Sequence, residues 1–143
     1  MGHSIISYQG EGVRVNNARI AAIGDLLQLI CHTNVNECAD EARVLQVWRS
    51  SCELGEYTGL YDIDFDNMGH PDVTRVAVLS VMSTLSRFLD TADEKIDSRL
   101  LPGLYPRDYQ HGHVFPKRLI RSTVDTIVAL VRDTKIADRA DSP

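Results

Sequence analysis

The sequence predicts a mostly α fold: a compact, irregular bundle of about four main helices, with short extended or hairpin pieces near the N-terminus and around residues 60–66. Three observations carry that expectation. Apolar residues recur at helical spacing in separate stretches of the chain. Asparagine, proline and glycine stand where helices should start and stop. The 43% hydrophobic and 24% charged residues form an ordinary globular mix, and 143 residues suffice for one self-supporting core. A single helical domain is expected over 1–136, with residues 137–143 as a frayed polar tail.

Residues 4–15 read as extended. Ile5, Ile6 and Tyr8 precede Gly10-Glu11-Gly12, and Val13 and Val15 follow it, a pattern for a short hairpin or an irregular arm. Asn16 or Asn17 then caps a helix running to about Cys31. Ile20, Ile23, Leu27 and Ile30 form its apolar face, widened by Leu26 and Leu29. Thr33 to Asn36 is a break.

Asn36 caps a second helix that runs to about Glu53. Glu37, Asp40 and Glu41 crowd its first turns, which suits the positive end of the helix dipole. Val44, Leu45, Val47, Trp48 and Cys52 supply the inner face, with Trp48, the one tryptophan, as a core anchor.

Residues 54–70 are the least regular, punctuated by Gly55, Gly59 and Gly69. Tyr61, Ile63 and Phe65 alternate with Asp62, Asp64 and Asp66. Alternation predicts a short strand, although aspartate is a poor strand former, and a loop or the first turn of a helix is the alternative. Pro71, with His70 before it and Asp72 after it, opens the clearest helix. Val73, Val76, Leu79, Val81, Met82, Leu85, Phe88 and Leu89 make it apolar around much of its circumference, which marks it as central. Asp90 to Asp93 end it, and Asp93 to Leu101 read as another short helix. A turn-rich connection follows, and Pro116 opens a last helix carrying Leu119, Ile120, Val124, Ile127, Val128 and Val131.

The net charge of −5 argues against a general nucleic-acid binder and against docking on an anionic membrane. No apolar run approaches a membrane span, and the first residues lack the pattern of an export signal. Three cysteines, Cys31, Cys38 and Cys52, cannot all pair within one chain, and no CxxC occurs, so buried thiols in the cytoplasm are expected. Phosphate-loop, dinucleotide and hydrolase-elbow motifs are absent.

Three features could carry function. Asp62, Asp64 and Asp66 match the opening of a calcium loop, but Asn67 stands where the sharp turn wants glycine and Val73 where the closing glutamate belongs. His111-Gly112-His113 places two imidazoles on one side of an extended segment, near Tyr105, Asp108 and Tyr109, although no standard zinc spacing accompanies them. The third is a charge pattern. Between Arg49 and Arg75 the chain holds Glu53, Glu56, Asp62, Asp64, Asp66 and Asp72 but no lysine or arginine. Tyr57 and Tyr61 sit among these acids. Such a stretch suits a basic partner surface, steered by charge and gripped by the rings. Arg107, Lys117, Arg118 and Arg121 form a basic cluster that could bind a phosphate or, the favoured expectation, complement the acidic stretch within the fold.

The run Trp48-Arg49-Ser50-Ser51, followed by Gly55-Glu56-Tyr57-Thr58-Gly59-Leu60 and by the acids Asp62, Asp64 and Asp66, resembles the middle of small acidic bacterial immunity proteins, the cognate inhibitors of interbacterial toxins. The resemblance is confined to residues 48–66 and includes no diagnostic motif. It implies a non-enzymatic protein that needs no cofactor or metal and occludes a basic toxin surface. Glu53, Glu56, Tyr57, Tyr61, Asp62, Asp64 and Asp66 would form the contact. Two other readings stay open. One is a regulatory or homo-oligomeric module using the third or last helix. The other is a small-ligand or metal-binding enzyme built on His111 and His113.

Overall fold

The computed structural model describes residues 2–32, 39–97 and 114–135. About 70% of them are helical, in four helices with a few short strands, so the fold is mostly α as the sequence predicts. The expected tail, the cap at Asn36, and the residues Arg107, His111 and His113 lie outside the described residues.

The chain opens with a hairpin. β1 (His3–Tyr8) pairs antiparallel with β2 (Glu11–Asn16), Tyr8 facing Glu11 across a two-residue turn. Gln9 and Gly10 both have positive φ, 51° and 80°, the left-handed pair that matches the twist of such a hairpin. α1 (Asn17–His32) follows at once. Asn16 is its cap, accepting the Ala18 N–H on Oδ1 at 2.8 Å.

α2 (Ala39–Thr58) packs across α1 through Trp48. The indole Nε1–H donates to the Ile20 carbonyl at 2.9 Å, so the ring is buried with its polar edge satisfied. α1 presents Gly24 to this contact, where a Cβ would stand 3.0 Å from both Trp48 Cδ1 and Cys52 Sγ. α2 runs five residues beyond the predicted end at Glu53 because Gly55 is a packing residue, not a breaker. Its missing Cβ makes room for the Tyr61 ring, which would lie 2.6 Å from an added methyl. The helix stops at Gly59, which takes φ 76° while its N–H bonds the Gly55 carbonyl at 2.8 Å.

β3 (Ile63–Asp64) adds to the free side of β1 in parallel, giving the order β2-β1-β3. One 3-10 turn, Phe65–Met68, then drops Phe65 into the core against Trp48, ring centroids 6.4 Å apart. α3 (Pro71–Thr91) starts as predicted, with His70 Nδ1 accepting the Asp72 N–H. It is central, packing on α1, α2 and α4 (Lys117–Asp133). Its apolar surface exceeds its buried face, however: Val73 and Val76 are exposed, and Thr74, Ala77, Val78, Val81, Met82, Leu85 and Leu89 are the residues it buries.

The short helix expected after Asp93 is instead β4 (Lys95–Asp97), paired antiparallel with β5 (Val114–Pro116). The pairing fastens the end of α3 to the start of α4: the Lys117 N–H bonds the Glu94 carbonyl at 2.7 Å, and Lys117 Nζ bonds the Ala92 carbonyl at 2.9 Å. Pro116 thus ends a strand and caps α4, which begins one residue later. Arg121 bonds Asp90 at 2.6 Å at that same end. At the other, Arg75 Nε bonds the Val131 carbonyl at 2.8 Å, so α3 and α4 run antiparallel. The basic cluster is therefore spent, for Lys117 and Arg121, on the end of α3 rather than on the acidic stretch.

Two expectations follow. Gly55→Ala should gain about 1 kcal/mol of helix propensity yet lower net stability by about 1–3 kcal/mol, because the Tyr61 ring has to move. Urea denaturation measures this, and an unchanged midpoint would show that the ring is not seated on Gly55. The second concerns Tyr8, whose hydroxyl donates to the Pro71 carbonyl at 2.8 Å beneath the Arg75 guanidinium. Burial pushes the hydroxyl above its ordinary value of 10.0, against the opposing pull of Arg75. A raised folded pKa contributes stability that is present below pH 10.0 and lost as pH rises through the folded value. Stability above pH 10.0 should fall more steeply in the wild type than in Tyr8→Phe. Parallel curves would remove Tyr8 as the cause.

Candidate functional site

Alternation from Leu60 to Asp66 builds the candidate face. Tyr61, Ile63 and Phe65 point inward and are buried, while Leu60, Asp62, Asp64 and Asp66 point outward. A strand of only two residues leaves most of the β1 edge unpaired, and the aspartate side chains continue the ladder. The Ile5 N–H donates to Asp62 Oδ1 at 2.7 Å. The Ser7 hydroxyl lies 3.5 Å from Asp64 Oδ1. The Gln9 N–H donates to Asp66 Oδ1 at 2.8 Å and to Oδ2 at 3.0 Å, and its side-chain amide reaches Oδ1 as well. Asp64 also closes the 3-10 turn by accepting the Asp66 N–H at 2.9 Å.

This explains why aspartate occupies positions that look like a strand. The short carboxylate supplies an acceptor at steps where the two-residue β3 offers no paired main-chain carbonyl. The three carboxylates therefore bond successive steps along this edge: Ile5 and Ser7 of β1 and Gln9 of the turn after it. Among the described residues no group of three or more His, Cys, Asp and Glu could hold a metal ion.

Beneath the face lies a buried polar junction. The Tyr61 N–H donates to Ser4 Oγ at 2.8 Å, the Ser4 hydroxyl donates to Asn17 Oδ1, and Asn17 Nδ2 donates to the Gly59 carbonyl at 3.0 Å. Ser4 and Asn17 are both buried. The junction ties the hairpin, the start of α1 and the end of α2 to one another, and it fixes where Leu60 and Asp62 emerge.

Of the residues the sequence nominates, Glu53, Glu56, Tyr57, Asp62, Asp64 and Asp66 are exposed, and so is Asp72. Glu53 pairs with Arg49 at 3.2 Å one turn back. Tyr57 is 91% exposed. Tyr61 does not belong with it. Its ring is 7% exposed, seated on Gly55, and offers no contact surface. Two residues that sequence reasoning passed over complete the face: Leu54 and Leu60, 60% and 56% exposed. Their signal was present. Leu54 falls off the helical stripe of Val44, Trp48, Cys52 and Gly55, and Leu60 shares the outward parity of the aspartates.

Of the two cations that bound the stretch, Arg49 pairs with Glu53 on the same helix and Arg75 faces elsewhere. Arg75 is drawn to the end of α4 and over the Tyr8 ring. The result is an exposed acidic face bearing an apolar ridge of Leu54, Tyr57 and Leu60. Such a surface has the means to attract and hold another macromolecule.

No family model matches this chain, and no curated protein or solved structure matches it.

The two kinds of acid should separate on mutation. Asp62→Lys and Asp66→Lys each remove an acceptor from the hairpin and should cost about 1–2 kcal/mol, whereas Glu53→Lys and Glu56→Lys should stay within about 0.5 kcal/mol. Chemical denaturation of the four variants checks this, and equal costs would deny the ladder its structural role.

Proposed function

We propose that this chain is a non-enzymatic protein-binding module, an immunity protein that neutralises a cognate bacterial toxin by covering a basic surface around the toxin's active site. One observation carries the reading: six acids between residues 53 and 72 are exposed on a stretch of chain that contains no lysine or arginine. Their field draws a cationic partner into contact, and docking excludes the toxin's substrate. No bond is made or broken, so the inhibitor needs only shape and charge. The resemblance of residues 48–66 to immunity proteins agrees with this reading. No helix among the described residues is long and apolar enough to cross a membrane, which agrees with a partner met in solution.

The test begins with the tagged chain purified from its native host. The captured protein should be basic and should arrest growth when produced alone. Co-production of this chain should restore growth. Glu53→Lys combined with Glu56→Lys should weaken the complex at least about 100-fold and abolish the rescue. A captured protein that is harmless, or a rescue that survives the double variant, would overturn the proposal.

A second reading is self-association through α3, favoured by the exposed Val73 and Val76. A monomer by light scattering at high concentration removes it.

A further inference from the structure

We infer that the partner is gripped chiefly through Tyr57, with Leu54 and Leu60 beside it, and that it offers an apolar pocket rimmed by lysine or arginine side chains. This inference rests on the protein-binding reading above and names the chemistry of the partner's contact.

The aspartate row points away from itself as the anchor. Asp62 already accepts a hydrogen bond from Ile5 of β1 and Asp66 from Gln9 of the turn after it, so a partner that bonded the same oxygens would compete with the fold. Their charge still acts at a distance. The apolar ridge has no such prior commitment. Among the described residues six large apolar side chains remain exposed, and Leu54, Tyr57 and Leu60 are three of them. Leu54 and Tyr57 lie three apart on one face of α2, and Leu60 follows directly after the helix ends.

The backbone carrying the ridge is held from below. Tyr61 is seated on Gly55, Asn17 holds the Gly59 carbonyl, and Thr58 Oγ1 bonds the Leu54 carbonyl at 3.0 Å. A tyrosine on so fixed a platform loses little freedom on docking, which is the setting of an interface hot spot. Glu53, one turn before Tyr57, and Glu56 beside it set the charge of the rim that the partner must match. The six exposed acids between residues 53 and 72 surround the ridge with negative charge, and a basic rim complements that field.

The experiment replaces Tyr57 with photoreactive p-benzoylphenylalanine and, separately, Val76 as a control on the other exposed patch. Both proteins are irradiated in the native host. Cross-linking to one basic protein from position 57 and not from 76 is expected. With that protein purified, Tyr57→Ala should raise koff about 100-fold with kon within about threefold. Glu53→Lys with Glu56→Lys should lower kon about tenfold at low salt and raise koff about tenfold as well. Cross-linking from position 76 alone, or an unchanged koff in Tyr57→Ala, would overturn the inference while leaving a protein-binding role intact. Absence of cross-links at both positions, together with no captured toxin, would overturn the inference and the protein-binding reading together.

Discussion

The outer edge of β1 is the constraint on which this molecule turns. A two-stranded hairpin is marginal by itself, and its free edge offers main-chain groups that need partners. Here the chain supplies a third strand of only two residues and finishes the ladder with carboxylates. The same offset of 57 positions relates Tyr61 to Ser4, Asp62 to Ile5, Asp64 to Ser7 and Asp66 to Gln9. One register therefore decides both what enters the core and what faces out. Inward, it sends Tyr61 to Gly55 and Phe65 to Trp48. Outward, it lines up three negative charges.

The helices depend on that register through the Ser4–Asn17 junction. Buried hydroxyl and amide groups are stabilising only when their partners are in place, because an orphaned one costs more than the bond contributed. Ser4 and Asn17 serve three segments at once, so the hairpin, α1 and the turn after α2 are right together or wrong together. Trp48 adds the apolar half of the same lock. Its ring fills the crossing that Gly24 opens, and its N–H answers the Ile20 carbonyl. α3 and α4 then close the core, held end to end by Arg75 at one pole and by Lys117 and Arg121 at the other.

The proposed function would borrow from architecture. The aspartates along the edge of β1 also give the face its field, and the glycine that seats Tyr61 also steadies the turn of helix displaying Tyr57. On that proposal, structural and recognition roles would fall on neighbouring residues of one segment, with Glu53 and Glu56 on the binding side and Asp62 and Asp66 serving both.

The sequence by itself determined the four helices, because a 3.6-residue apolar period, a proline start and a cap are local properties that no distant contact has to supply. It determined the extended character of residues 4–15, the inward and outward parity of residues 60–66, and the concentration of acids between Arg49 and Arg75. Tertiary structure alone decided the rest. Composition does not show that Tyr61 would be buried and Tyr57 exposed: parity turns Tyr61 inward with Ile63 and Phe65, and the gap at Gly55 gives its ring room. It does not show that Lys95–Asp97 would be a strand, because β4 exists through its pairing with Val114–Pro116, a partner distant in the chain. Nor does it assign Lys117 and Arg121 to the end of α3. Charge complementarity along a sequence has many solutions, and the antiparallel packing of α3 and α4 leaves only this one within reach of those side chains.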